Sequence, residues 1–133
     1  MAVITPLLKG LALTLSRFFS KPITYQYPEE KREPSARWRG LHRLKTEDGR
    51  LKCVACGLCQ AVCPANVITV EARETPDGRR FPERFLIEVT RCIFCGYCQE
   101  ACPADAIELT RDYEFTSYTR EAFHMSRDVL AKN

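Results

Sequence analysis

Cys53-Val54-Ala55-Cys56-Gly57-Leu58-Cys59-Gln60-Ala61-Val62-Cys63-Pro64 returns 39 residues later as Cys92-Ile93-Phe94-Cys95-Gly96-Tyr97-Cys98-Gln99-Glu100-Ala101-Cys102-Pro103. Both stretches read C-x-x-C-x-x-C-x-x-x-C-P, and together they hold all eight cysteines of the 133-residue chain. Aligning Cys53–Val70 with Cys92–Leu109 gives nine identities in eighteen positions: the four cysteines, the glycine, the glutamine, the proline, Ala65 with Ala104, and Ile68 with Ile107. Cysteine alone does not account for that match, so residues 46–112 read as two halves of one duplicated unit.

Three cysteines at x-x spacing turn their thiols into one small volume from a single loop. The fourth lies a helical turn further on, and the following proline stops the helix and redirects the chain. This is the spacing of the bacterial two-cluster ferredoxins, where each run gives three thiolates to one 4Fe-4S cluster and its fourth to the other. By that pattern Cys53, Cys56, Cys59 and Cys102 hold the first cluster, and Cys92, Cys95, Cys98 and Cys63 the second. Gly57 and Gly96 relax the backbone and let N–H groups approach the sulfurs. Hydrogen bonds to sulfur, burial and nearby charge set the potential of such a cluster. Two other cysteine chemistries compete. A disulfide framework fits paired C-x-x-C-x-x-C runs poorly without a secretion signal. Zinc sites use C-x-x-C pairs but require neither the third cysteine nor the Cys-Pro ending.

The ferredoxin-like part covers only about half the chain, and a core that small usually needs staples or metals. The apo chain carries a formal charge of +3. Eight thiolates and two cluster cores of about +2 each would bring this to about −1. Lys and Arg are dispersed and no DNA-binding motif is visible, so no nucleic-acid partner is expected. There is no Gly-x-Gly-x-x-Gly loop, Walker motif or arguable acid–base pair. The reading is a chain that moves single electrons, binds no small-molecule substrate and leaves the chemistry to another polypeptide.

Along the chain, four segments are expected. Residues 1–21 form an amphipathic helix, capped by Thr5 with Pro6 in its first position. It runs to about Ser20, with Leu7, Leu8, Leu11, Leu15, Phe18 and Phe19 at helical spacing. It lacks a basic leader and is too short and interrupted to span a bilayer. It is read as lying on a membrane surface or a membrane-bound partner; packing on its own domain is the alternative. Residues 22–45 look irregular, punctuated by Pro22, Pro28 and Pro34, and read as an extended partner-binding arm because Tyr25, Tyr27 and Trp38 are unusual in disordered linkers. Residues 46–112 are the two-cluster domain. Each half holds a cluster loop, a short helix (58–63; 97–102) and a strand (67–71; 107–110). Further strands fit 49–52 and 85–89, and Pro76-Asp77-Gly78 marks a turn. Residues 113–133 form a tail, helical from about Thr119 to Lys132. The fold class is thus α+β: a two-cluster ferredoxin-like domain with a pseudo-twofold repeat, an N-terminal helix and arm, and a helical tail. Val54, Ile68, Ile93, Phe94 and Ile107 are expected to line the cluster cavities. Tyr97 reads equally as a cluster-edge contact or a surface residue. His42 and His124 are isolated, and neither is read as a ligand or catalyst.

Beyond the two motifs, Tyr27-Pro28-Glu29-Glu30, Arg39-Gly40-Leu41-His42, Asp112-Tyr113-Glu114 and Tyr118-Thr119-Arg120 resemble the two-cluster ferredoxin-like subunit of respiratory complex I, the proton-pumping NADH:quinone oxidoreductase. The likeness runs from about residue 10 to 130. Its strongest stretch is Arg91–Pro103, and generic ferredoxins lack the arm. The resemblance implies a hydrophilic electron-transfer subunit, an enzyme part only within the assembled oxidoreductase. It implies two 4Fe-4S clusters relaying electrons toward a terminal cluster and quinone. It also implies neighbours in the peripheral arm and at the quinone junction, and a peripheral place on the cytoplasmic face of the bacterial inner membrane. A free-standing ferredoxin, a wire subunit of a related hydrogenase or dehydrogenase, and a zinc-stapled scaffold remain the competing readings. Brown colour with about eight irons would exclude the last.

Overall fold

The computed structural model describes residues 4–132; residues 1–3 of the expected N-terminal segment, and residue 133, lie outside them. The chain divides into two units, Met1–Glu33 and Pro34–Asn133. In the first, helix α1 spans Ile4–Phe18. Its apolar residues recur every three or four positions and make one stripe, and Arg17 in the last turn complements the negative end of the helix dipole. The Ser20 N–H and hydroxyl both donate to the Arg17 carbonyl, at 3.1 and 2.7 Å, closing the end ahead of Pro22. The helix starts at Ile4, so Thr5 and Pro6 sit inside its first turn, where a missing N–H costs nothing. α1 buries none of its side chains. Among the described residues, no helix is long and apolar enough to cross a membrane.

The second unit is α+β. Strand β1, His42–Leu44, is flanked by buried Leu41 and alternates buried, exposed, buried. It pairs antiparallel with β6, Ile107–Leu109, in the register His42↔Leu109 and Leu44↔Ile107. The reading of residues 21–45 as wholly irregular is therefore corrected at its end. Three residues carry too little periodicity to announce a strand, and the partner lies more than sixty positions away. Strands β2, Thr46–Glu47, and β3, Arg50–Leu51, form a small hairpin. Its turn is Asp48-Gly49, both at positive φ (51° and 74°), as a two-residue hairpin requires. The strand expected at 49–52 thus loses Gly49 to the turn.

Helix α2 spans Leu58–Val62, and the antiparallel strands β4, Ile68–Glu74, and β5, Arg80–Glu88, follow it. The Pro76-Asp77-Gly78 turn joins these two strands. Thr75 clamps it, donating its hydroxyl to the Arg79 carbonyl at 3.0 Å and accepting the Arg79 N–H at 3.2 Å. A 3-10 turn over Val89–Arg91 leads to the second cysteine loop and to helix α3, Tyr97–Glu100.

The tail departs from expectation. It is not a continuous helix but a 3-10 turn at Glu121–Phe123, strand β7 at His124–Ser126, and a single turn α4 at Arg127–Leu130. β7 adds to the free edge of β5, giving the sheet order β4-β5-β7. The tail's apolar positions are too sparse to pack a long helix, and the open edge of β5 offers its backbone partners instead. The Glu88 carboxylate holds the junction between Arg91 and Arg120. Leu130 enters the core with no exposure, beside Leu44, Ile68, Phe85, Ile87, Val89 and Ile107.

Candidate iron–sulfur centres

Each cysteine loop begins with a left-handed bend that most residues avoid. Ala55 and Phe94 both sit at φ 51°, two residues past the first cysteine of their run. The bend aims their amides back: Ala55 N–H donates to Cys53 Sγ and Phe94 N–H to Cys92 Sγ, each at 3.4 Å. Gly57 and Gly96 follow at φ 77° and 87°, at the N-caps of α2 and α3. Both glycine carbonyls accept the first helical N–H groups, at 2.9–3.2 Å. Those turns carry Cys59 and Cys98 inward, where both are buried. After the helices, Asn66 and Asp105 again adopt positive φ, and the chain enters β4 and β6.

The repeated glutamine, given no role by sequence reading, ties these parts together. Gln60 Oε1 accepts the Val70 N–H at 2.8 Å, and Gln99 Oε1 accepts the Leu109 N–H at 2.9 Å. Each clamp fixes a cluster-loop helix to the strand that follows it. The signal that could have found it was the identity of Gln60 and Gln99 within the duplication.

Two cavities result. The first is lined by Cys53, Cys56, Cys59 and Cys102, with Leu44, Val54, Val70, Phe85, Ala106 and Ile107 among its walls. The second is lined by Cys63, Cys92, Cys95 and Cys98, with His42, Val67, Ile68 and Ile93. Each cavity meets three sulfurs of one motif and one of the other. Ala106 N–H also donates to Cys102 Sγ at 3.2 Å. Ile68 and Ile107 are buried as expected, whereas Val54 and Ile93 leave 42% and 65% of their surface exposed while still forming an edge. Tyr97 is exposed.

Burial raises four of the thiols, most of all the two deepest. It pushes Cys59 up to about 11 and Cys98 up to about 12, and raises Cys53 and Cys92 as well. Without metal these groups stay protonated at neutral pH, so loading must displace protons. Four thiols per apolar cavity, N–H donors on the sulfurs, and no carboxylate or amine in either lining fit an anionic thiolate-ligated 4Fe-4S cluster. Among the described residues, no three His, Cys, Asp or Glu side chains close tightly enough to hold a single metal ion. The sulfurs surround a volume rather than a point.

His42 is the residue whose place the sequence did not disclose. It is 1% exposed, and its Nε2 lies 3.7 Å from Cys92 Sγ. Its ring stacks on Phe94 with centroids 5.6 Å apart, and Phe115 and then Phe123 of the tail continue that aromatic row. Burial holds the imidazole down to about 4, so it is neutral at physiological pH. Its Nδ1, equally buried, has no hydrogen-bond partner among the described residues. Arg39, three residues earlier, donates from Nη1 to the Cys95 carbonyl at 2.9 Å. His124 lies at the surface, 4.0 Å from Glu88.

Comparison with known proteins agrees with this chemistry. Residues 52–106 match the model of the 4Fe-4S dicluster domain family. The chain is 51% identical over 128 residues to an NADH-quinone oxidoreductase subunit I of Geobacter metallireducens, covering 96% of this chain and 98% of that one. It is 52% identical to a subunit I of Geobacter sulfurreducens, covering 96% and 97%, and 50% identical to one of Rhizobium meliloti, covering 98% and 71%. Among solved structures, a chain of the membrane-bound sulfane sulfur reductase, an archaeal respiratory membrane complex, superposes with a TM-score of 0.60 at 33% identity. The match covers 82% of this chain and 55% of that one.

Proposed function

Since the chain belongs to the family of NADH-quinone oxidoreductase subunit I, we propose that its two motifs form interlocked electron-relay sites, each completed by a cysteine of the other. The chain is an electron-transfer subunit of that oxidoreductase complex and carries two 4Fe-4S clusters. When bound, the clusters supply one-electron transfer. Every other part of the task falls to the polypeptide.

In this reading Cys53, Cys56, Cys59 and Cys102 hold the first cluster, and Cys92, Cys95, Cys98 and Cys63 the second. The observation that supports it is the lining of the two cavities by those two sets of four. The amides of Ala55, Phe94 and Ala106 stabilise negative charge on the sulfurs. Leu44, Phe85 and Ile107 on one side, and Val67 and Ile68 on the other, exclude water, so little solvent reorganises when charge arrives. A pseudo-twofold relation between the halves keeps the two sites close, and closeness serves relay. The matched glutamine clamps and positive-φ residues support that relation.

The remaining segments serve assembly. α1 presents an apolar stripe that its own unit does not bury, which suits docking at the membrane junction of the complex. Residues 22–33 extend that contact to neighbouring subunits. The place assigned is peripheral, on the cytoplasmic face, with electrons passing toward the terminal cluster and quinone.

Replacing Cys63 by Ser tests the interlock. It should abolish the second cluster's electron paramagnetic resonance signal in the reduced complex and spare the first. Loss of the first signal alone would show that ligation stays within each motif.

A further inference from the structure

The two cavities share one loop design and differ in the donors that reach their sulfurs. One backbone donor is common to both, Ala55 N–H on Cys53 and Phe94 N–H on Cys92, both at 3.4 Å, and the first site has a further one, Ala106 N–H on Cys102 at 3.2 Å. Cysteines aside, the first is walled by aliphatic groups, Phe85 and one glycine. The second has a polar side chain in its wall, His42. His42 faces Leu109 from β1 as Phe85 faces Val70 from β5, so the matching place in the first cavity holds a hydrocarbon ring with no N–H to offer.

The imidazole has two ring nitrogens and little freedom. β1 is paired to β6 through His42 itself, and Phe94 stacks on the ring. That leaves Nε2 3.7 Å from Cys92 Sγ and Nδ1 buried without a partner among the described residues. A thiolate ligating iron has no S–H and can only accept. The proton must then reside on Nε2, and Nδ1 keeps a bare lone pair. A buried N–H without an acceptor is the rarer of the two kinds of unpaired group, so this tautomer is also the cheaper one.

We propose that His42 donates its Nε2–H to the Cys92 sulfur and thereby raises the reduction potential of the second cluster. It rests on the ligation of the second cluster by Cys92 given above. The mechanism is electrostatic: a donor on the sulfur stabilises the reduced state, which carries the extra negative charge, more than the oxidised one. His42 is a tuning residue that acts through Cys92. His42 makes the second cluster a better electron acceptor than it would be without that donor.

The test is a redox titration of both clusters in the assembled complex, followed by electron paramagnetic resonance, for wild type, His42→Leu and His42→Gln. In His42→Leu the reduced-to-oxidised ratio of the second cluster at a fixed potential should fall about tenfold, which for one electron is ~59 mV. The first cluster should not move. His42→Gln keeps an N–H donor and should recover part of the shift. An unmoved second potential in His42→Leu overturns the proposal.

Because leucine can disturb the packing, a second measurement uses the unsubstituted protein. The chain has two histidines, His42 and His124. Pulsed resonance on 15N-histidine-labelled complex should give a weak nitrogen coupling to the reduced second cluster, retained in His124→Gln. A second cluster present without that coupling overturns the role of His42 alone. Absence of any second-cluster signal would instead overturn the ligation on which it rests.

Discussion

Gly40→Ala should loosen the second cluster site without touching a cysteine. A Cβ built on Gly40 would stand 2.2 Å from the Asp112 carbonyl oxygen, 2.9 Å from its carbon and 3.0 Å from the Thr110 carbonyl oxygen. All three are backbone atoms, so no side chain can swing aside. Relief to an ordinary carbon–oxygen contact requires a shift of about 1 Å. The segments are held at this point by three backbone hydrogen bonds: Gly40 N–H to Thr110 at 2.8 Å, Leu41 N–H to Asp112 at 2.9 Å, and Thr110 N–H to Leu41 at 2.9 Å. Losing all three would cost about 1.5–4.5 kcal/mol at the usual net value per bond. His42 follows two residues later on the same strand, so the shift also carries the imidazole away from Cys92. The assay is chemical denaturation of the loaded protein, following the loss of cluster absorbance, together with resonance spectra of both clusters. The variant should unfold at lower denaturant, and the second spectrum should broaden more than the first. An unchanged midpoint would refute the claim that close backbone approach, and nothing else, demands glycine here.

Two other expectations bear on the ends of the chain. Glu88→Gln should free the tail, because the Glu88 carboxylate joins Arg120 and Arg91 to the edge of β5. The Arg120 hydrogen bond, then that of Arg91, holds the Glu88 carboxyl below its ordinary value of 4.5. Its stabilisation is therefore complete above that pH and is lost as pH falls through the lowered folded value. Hydrogen exchange of the 120–132 amides should be faster in the variant at pH 7, with the gap to wild type closing at acid pH; equal exchange at pH 7 would remove Glu88 from tail docking. Deleting residues 1–20 should weaken association with the membrane-bound complex while leaving cluster absorbance intact. Unchanged co-sedimentation with membranes would leave the α1 stripe without its assigned partner.

What could be read from the sequence was local. The eight cysteines, the two glycines and the prolines act within a dozen residues of one another, so their spacing alone encodes the loop and the ligand direction. The amphipathic stripe of α1 is legible for the same reason. His42 was not, because its partner Cys92 is 50 residues distant and its strand is three residues long. The tail failed similarly. Arg120, His124 and Leu130 look like parts of a weak helix until β5 offers an edge, and Glu88, 32 residues before Arg120, supplies the anchor. Asp48-Gly49 was a hairpin signal in plain view, overlooked because the strands beside it are two residues each.

The unrepeated segments do more than finish a small core. Duplication builds two sites with the same loop dihedrals, one matched amide-to-sulfur contact each and the same glutamine clamp. Sites so alike in their loops differ in potential through the contacts that reach one and not the other. Here Arg39 and His42 enter from the N-terminal side onto Cys95 and Cys92, and Phe115 packs from the C-terminal side against Phe94, the residue between those two cysteines in the loop. Each of these groups meets the second cysteine run. The first run receives its outside contact through Leu44, which is apolar. Apart from the Ala106 N–H on Cys102, asymmetry is thus carried by the N- and C-terminal sides of the chain, where substitution can alter one potential while the repeat keeps both clusters in place.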